Sequence, residues 1–244
     1  MTTIKPQNGR ASESGNVLFL ILIAVALFAA LSYAVTQSSR SGGGDTGEKT
    51  LVSSSQITQY PASVRTSIVR MVIAGVAVDD LLFDDPSLFA ANLTTTALQS
   101  QGVFYPSPPG GGATYQTAPV DVMASGSQGV WIFSSKYQVK NIGSATAGTG
   151  NEIIAFLPGV NKALCVKLDA QLGISMTGGV PPTGDITTPT SADNMITGSA
   201  GIPGSITGTI GSTTTALVGQ PFGCFVVGSG ASAVYTYYHV LVER

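Results

Sequence analysis

The chain has 244 residues, of which only 10% are charged, and its formal net charge at pH 7 is −2. Because basic residues are not in excess, the chain lacks the positive surface that binds phosphates, which excludes nucleic-acid binding. Its 30 glycines, with many serines and threonines, are typical of an exported, turn-rich domain rather than of a cytosolic enzyme. The length accommodates one ordinary domain and a short membrane segment.

An apolar run covers positions 17–35, where only Ser32 and Tyr33 carry a polar group. As a helix rising about 1.5 Å per residue, this run would be about 28 Å long, close to the roughly 30 Å thickness of a bilayer core. It is also longer than the apolar region of a cleaved secretory signal, which has about 7 to 15 residues, while Ala30 and Ser32 form a weak A-x-S site that leaves ordinary cleavage as an alternative. The run therefore predicts a membrane-spanning helix. The exported composition of the rest of the chain places the amino terminus on the cytoplasmic side.

A short polar leader ends at Gly15, directly before the run. This arrangement resembles the amino-terminal region of type IV pilins and pseudopilins. The resemblance implies that a prepilin peptidase cleaves between Gly15 and Asn16 and that the mature chain keeps the apolar helix as anchor and packing surface. Family members usually begin with Phe or Met and carry Glu at the fifth mature position, where this chain has Leu20. That glutamate is thought to pair with a neighbouring subunit's amino terminus, so its absence weighs against a major subunit.

The resemblance also implies an α+β fold, in which a long amino-terminal helix, first transmembrane and then amphipathic, packs on an antiparallel sheet. The predicted organisation is a leader at 1–15, a hydrophobic transmembrane and assembly helix at 16–41, a glycine-rich break at 42–47 and an exported head at 48–244. The break contains three glycines, Gly42, Gly43 and Gly44. Each glycine weakens a helix by about 1 kcal/mol relative to alanine. The break is therefore either a place where the long helix melts locally or a flexible linker. The residues expected to bundle in the assembly helix are Val17, Leu18, Phe19, Leu20, Leu22, Phe28, Leu31 and Val35.

The function implied by the resemblance is that of a structural subunit, a pilin, minor pilin or pseudopilin, of a bacterial surface filament like a type IV pilus. Its partners would be further copies of itself or other pilin-like subunits, and its precursor would reside in the inner membrane before reaching the cell surface. The alternative is a non-assembling, single-span envelope protein whose exported head binds a partner or ligand.

The region 48–78 has apolar residues mostly three or four positions apart, which predicts an amphipathic helix with one face on a sheet. Within it, Pro61 is expected to kink the helix or to end one helix and begin another. The stripe consists of Leu51, Ile57, Tyr60, Val64, Ile68, Met71, Val72 and Gly75.

Four aspartates cluster at 79–85, with three apolar residues among them. Calcium loops need oxygen ligands at alternating positions around a glycine, so this pattern does not favour a metal site. Asp85 followed by Pro86 instead predicts a helix amino terminus, with Asp as the cap and Pro at the first helical position.

The remainder of the head alternates strands and loops, with one further helix. A long loop at 177–215 is either a flexible insertion or a set of short edge strands. Composition and periodicity predict strands at 129–140, 153–157, 222–227 and 233–242, and a helix at 161–172.

The only two cysteines are Cys165 and Cys224, and they lack the C-x-x-C spacing of a zinc site. In an exported domain an even pair favours one disulfide. The single histidine, His239, has no carboxylate or cysteine at a useful spacing, so we expect a surface or packed histidine rather than a catalytic one. The sequence therefore predicts no enzymatic activity, no cofactor and no metal.

Overall fold

The computed structural model describes residues 14–40, 44–143, 151–198 and 207–244, with the side chains from Phe19 to Tyr33 and, within these ranges, from Ser54 onward. The predicted leader lies largely outside the described residues, as do Gly42 and Gly43. The described part is an α+β protein whose helices are α1 (Ser14–Arg40), α2 (Gly44–Ile73), α3 (Phe89–Asn92), α4 (Thr96–Gln101) and α5 (Lys162–Leu172). Its strands are β1 (Ile132–Ser134), β2 (Tyr137–Val139), β3 (Ile153–Pro158), β4 (Gly208–Ile210), β5 (Phe222–Val227) and β6 (Val234–Val242).

The chain divides into two compact units, Met1–Glu48 and Lys49–Arg244. The first contains α1, a helix of 27 residues that begins two positions before the predicted start of the mature chain. Gly15 and Asn16 are therefore both helical, and Gly44 is the first residue of α2 rather than part of a break. Among the described residues, no helix combines the length and the apolar character needed to cross a membrane.

The second unit is built on a four-stranded antiparallel sheet with the strand order β1-β3-β6-β5. Successive side chains of a strand point to opposite faces, so the sheet separates two buried clusters. Ala155 and Tyr237 face the cluster that contains α2 and α5, whereas Phe156 and Tyr238 face the opposite cluster. The predicted strands at 153–157, 222–227 and 233–242 agree with β3, β5 and β6 to within one residue.

Helix α2 packs its apolar stripe against the sheet, as the spacing predicted. It ends at Ile73 rather than near residue 78, and Val72 and Gly75, which were assigned to the stripe, are exposed. Of the two expectations for Pro61, that it ends one helix and begins another is wrong, because α2 continues through it, and that it kinks the helix stays a prediction. Proline removes only one backbone donor, and packing on both sides of it holds the chain helical. The buried stripe residues are Ile57, Tyr60, Val64, Ile68 and Met71, while the side chain of Leu51 lies outside those described.

The sequence at 129–140 does not form the single strand that its composition predicted. It forms β1 in the main sheet and β2 in a separate two-stranded sheet, where β2 pairs with β4 in parallel. The break falls at Ser135 and Lys136, where the chain bends. Lys136 is held there by an ion pair with Asp193 at 3.2 Å and by its carbonyl, which accepts from the N–H of Thr207 at 2.8 Å. These long-range contacts override the local strand propensity.

Residues 182–195 form an ordered segment, here called the strap, that reaches both edges of the main sheet. At the β5 edge, the N–H of Val226 donates to the carbonyl of Pro182 and that of Gly184 donates to Val226, both at 2.8 Å. At the β1 edge, the N–H of Phe133 donates to the side-chain oxygen of Asn194, and Met195 donates to the carbonyl of Phe133, both at 2.8 Å. Ile186 is buried in the cluster between these edges. Residues 182–195 of the predicted loop therefore form hydrogen bonds with the two edge strands of the main sheet.

Candidate functional site

The apolar side chains of α1 are exposed along the whole described stretch. The exposed fraction ranges from 59% for Leu20 to 72% for Phe28 among the residues expected to bundle. Apolar surface in water is unfavourable by about 25 cal/mol per Å², so burial of these side chains against another surface would be favourable. The predicted residues in this exposed stretch are Phe19, Leu20, Leu22, Phe28 and Leu31, whereas the side chains of Val17, Leu18 and Val35 lie outside those described.

The two cysteines join α5 to the edge strand β5. The sulfur atoms of Cys165 and Cys224 lie at bonding distance, and the Cα atoms are 5.5 Å apart. Helix α5 forms where it was predicted because Asn161 caps its first turn, with its side-chain oxygen accepting from the N–H of Ala163 at 3.0 Å. Gly173 then ends the helix in the left-handed conformation, at φ 71°. Cys165 lies on the buried face of this helix.

A buried carboxylate lies beside this disulfide. Asp169 is one helical turn after Cys165, and its Oδ1 accepts from the backbone N–H of Cys224 at 2.8 Å. Its Oδ2 has no hydrogen-bond partner among the described residues. Burial raises the pKa of Asp169 to about 7, against the opposing effect of the Cys224 hydrogen bond. Burial likewise raises the pKa of Glu152 to about 7, although Glu152 accepts from the N–H of Val139 at 3.2 Å.

His239 is a packed histidine, one of the two environments expected for it. Its ring stacks on Phe222 with centroids 5.1 Å apart, and its Nδ1 lies 2.9 Å from the hydroxyl of Tyr237. Burial lowers the pKa of His239 to about 4, and the positive charge of Arg65 lowers it further. The imidazole is therefore neutral at pH 7, and within the described residues its hydrogen-bonding neighbour is a tyrosine and not a carboxylate.

A groove of about 360 Å³ runs between α2 and the extended residues 116–119. Its floor includes two buried aromatic side chains, Tyr60 and Trp131, which are 4% and 2% exposed and have ring centroids 5.2 Å apart. The groove is also lined by the exposed glutamines Gln56, Gln59 and Gln116. None of the described side chains that line it is charged. The groove therefore combines an apolar floor with uncharged hydrogen-bonding groups.

Two hydrogen-bond donors at the floor lack an acceptor. Within the part of the chain that the structure describes, neither the O–H of Tyr60 nor the Nε1–H of Trp131 donates a hydrogen bond. Burial raises the pKa of Tyr60, while a hydrogen bond from the backbone of Gln116 to the tyrosine oxygen opposes that rise. A buried donor without an acceptor is unfavourable by about 1 to 3 kcal/mol. Such donors are uncommon in folded proteins.

Sequence reasoning did not find this groove, because its floor and walls come from three distant parts of the chain. The one available signal was composition, since Trp131 is the only tryptophan in the protein. The sequence predicts Trp131 in a strand and Tyr60 in the helix stripe. Both positions account for the burial of these side chains, but not for a buried hydrogen-bond donor without an acceptor.

No protein-family model matches this chain, and neither the curated proteins nor the solved structures include a match to it.

Proposed function

We propose that this protein is a pilin-like structural subunit of a bacterial surface filament, cleaved after Gly15 and assembled through α1. The precursor would reside in the inner membrane, and the head would be exported. The observation that carries this proposal is the exposed apolar surface of α1, together with the polar leader that precedes it.

The exposure of α1 supports assembly because exposed apolar surface on this scale is unfavourable in water. Phe28 and Leu31 are 72% and 64% exposed and lie about one helical turn apart, and their neighbours along the helix are similarly exposed. Lipid can cover such a helix in the precursor, and the apolar helices of neighbouring subunits can cover it in a filament. The same surface thus serves both stages of the proposed pathway.

The head is consistent with this role. Helix α2 lies with its apolar stripe on an antiparallel sheet, and a disulfide ties α5 to the sheet edge. A helix on an antiparallel sheet agrees with the coarse architecture that the resemblance implies, and the disulfide agrees with the pairing expected of an exported domain. The strap also forms backbone hydrogen bonds at each edge of the sheet, with Val226 on β5 and with Phe133 on β1.

The processing site gives the sharpest test. We expect mass spectrometry of membrane and sheared-surface fractions to detect a mature amino terminus at Asn16. A Gly15→Val variant should retain the leader and fail to appear in the sheared fraction, because the glycine at the cleavage junction is lost. Gly9→Val, which changes another leader glycine away from the junction, should be processed normally.

Electron microscopy of the sheared fraction should reveal filaments that label with an antibody against the head. An intact Met1 in surface filaments would overturn the proposed processing. Normal amounts of filament in a strain that lacks this chain would overturn its role as a required subunit, whether major or minor.

A further inference from the structure

We propose that the groove between α2 and residues 116–119 binds a small neutral saccharide. This inference concerns the head alone and does not depend on filament assembly. The first observation is charge: the described residues that line the groove include no Asp, Glu, Lys, Arg or His. A charged ligand entering this site would lose hydration without gaining a counter-charge, which is strongly unfavourable. The ligand is therefore uncharged.

The hydrogen-bonding groups of the groove match sugar hydroxyls. Each of the glutamines Gln56, Gln59 and Gln116 offers both an amide donor and a carbonyl acceptor, and a sugar hydroxyl is likewise donor and acceptor. The hydroxyls of Ser63 and Thr117 add groups of the same kind. At about 360 Å³ the groove lies at the lower end of the 300–1,000 Å³ range of ligand sites, which suits one or two sugar rings.

The floor of the groove contributes two hydrogen-bond donors that lack an acceptor. The Tyr60 hydroxyl and the Trp131 indole N–H are closed to water and lack an acceptor among the described residues. The exposed side chains of the lining glutamines change rotamer within nanoseconds, so the groove can rearrange around a ligand. A sugar oxygen placed over the floor would then accept a hydrogen bond that nothing else in the groove supplies.

A peptide fits these observations less well. Extended peptides commonly bind by adding a strand to an open sheet edge, and here the strap already hydrogen-bonds to Val226 on β5 and to Phe133 on β1. A second cavity, of about 570 Å³, is lined mainly by threonines and prolines around Thr183 and Thr214. None of its described lining residues carries a buried, unpaired side-chain polar atom, so the groove is the better site.

The unique tryptophan provides a direct probe. The full-length protein would be purified in a polyoxyethylene detergent, since alkyl glycosides carry sugars themselves. It would be titrated with glucose, galactose, N-acetylglucosamine and maltose while the fluorescence of Trp131 is recorded. We expect at least one sugar to produce a saturable change with a Kd in the millimolar range or tighter. Sialic acid, which is charged, and tetra-alanine with acetylated and amidated termini, an uncharged peptide, should produce none.

Three variants assign the change to the groove. Gln116→Ala should weaken binding at least about fivefold, because it removes hydrogen bonds to the sugar. Gln171→Ala, which changes an exposed glutamine on α5, should leave the Kd unchanged. Tyr60→Phe removes only the hydroxyl and should weaken binding by a similar factor without lowering the stability of the unliganded protein.

Several results would overturn the proposal. One is the absence of any saturable change up to about 50 mM sugar, well above the millimolar range expected for a weak site. A change of equal affinity in Gln116→Ala and Tyr60→Phe would place the sugar elsewhere, and a response to tetra-alanine alone would assign the groove to peptides. None of these results would alter the amino terminus found at the processing site, so the two proposals fail separately.

Discussion

Asp169 and Cys165 lie one turn apart on α5, and both bind Cys224. The backbone N–H of Cys224 donates a 2.8 Å hydrogen bond to Asp169, and its sulfur forms the disulfide with Cys165. One residue of the edge strand is thus held twice by one face of a helix. Because residues that share a partner couple energetically, we expect their contributions to stability to be non-additive.

The buried carboxyls predict an unusual pH dependence. The pKa of Asp169 rises from 3.8 to about 7 on folding, so between these pH values the unfolded chain has lost a proton that the folded chain keeps. The free energy of unfolding therefore decreases as pH rises from about 4 to 7, by at most about 4 kcal/mol for this group. The raised pKa of Glu152 likewise makes the free energy of unfolding decrease as pH rises.

Guanidinium denaturation at pH 4, 5.5 and 7 measures this effect. Asp169→Asn keeps an oxygen acceptor for the Cys224 N–H but cannot titrate. It should therefore remove the part of the pH dependence of the unfolding free energy that comes from Asp169. Asp80→Asn, at an exposed position, serves as the control. If Asp169→Asn and the wild type have the same pH dependence, the prediction is wrong.

His239 should titrate far below the usual histidine range. Its pKa falls from 6.5 to about 4 because of burial and, secondarily, Arg65. Between these values only the unfolded chain is protonated, so His239 makes stability rise with pH, opposite to the two carboxyls. As the only histidine, it gives one assignable imidazole signal in proton NMR.

We expect a midpoint near pH 4 in that titration. Arg65→Met should raise the midpoint modestly because burial, the larger cause, is unchanged. Arg70→Met, one further turn along α2, should have a smaller effect. A midpoint near 6.5 in the wild type would show that the ring is not buried in solution.

The disulfide should supply a large part of the stability of the head. Its cysteines are 59 positions apart, and a loop of this size stabilises by about 4 kcal/mol in the chain-entropy model. Replacing Cys165 and Cys224 together by alanine should lower the free energy of unfolding by about that amount. Dithiothreitol should destabilise the wild type and leave the double variant unaffected. Two free thiols in the non-reduced protein, measured by alkylation, would contradict the pairing.

Two adjacent residues test the packing of α2. Ile68 is 1% exposed and faces the sheet, while Val69 is 48% exposed. Ile68→Ala should lower the free energy of unfolding by about 2 to 5 kcal/mol, since it leaves a cavity in the core. Val69→Ala should change it by less than about 0.5 kcal/mol. Comparable losses at both positions would mean that the outer face of α2 is also covered.

The elements that the sequence predicted well are those with local signals. Helix α5 has its cap at Asn161 and its terminating Gly173, and β5 and β6 are joined by a short turn after alternating apolar residues. The cap at Asp85 is also observed, with its Oδ1 accepting from the N–H of Ser87 at 2.8 Å. In these cases the residues that determine the structure are neighbours in the chain.

The elements that were missed depend on distant contacts. The parallel pairing of β2 with β4 joins residues such as Tyr137 and Gly208, which no local periodicity connects. The burial of Asp169 could not be predicted, because the apolar residues around it already account for the buried face of the helix. The groove required Tyr60, Gln116 and Trp131 to meet, and nothing in the spacing of these residues predicts that.

The strap has a consequence for how heads can meet. Val226 on β5 and Phe133 on β1 already exchange hydrogen bonds with the strap, so the outer strands offer few free backbone groups to a neighbour. Adjacent heads in an array would therefore touch through side chains and could not merge their sheets into one ladder running along the fibre. Such an array would lack the 4.7–4.8 Å axial reflection of cross-β material and would come apart into intact heads.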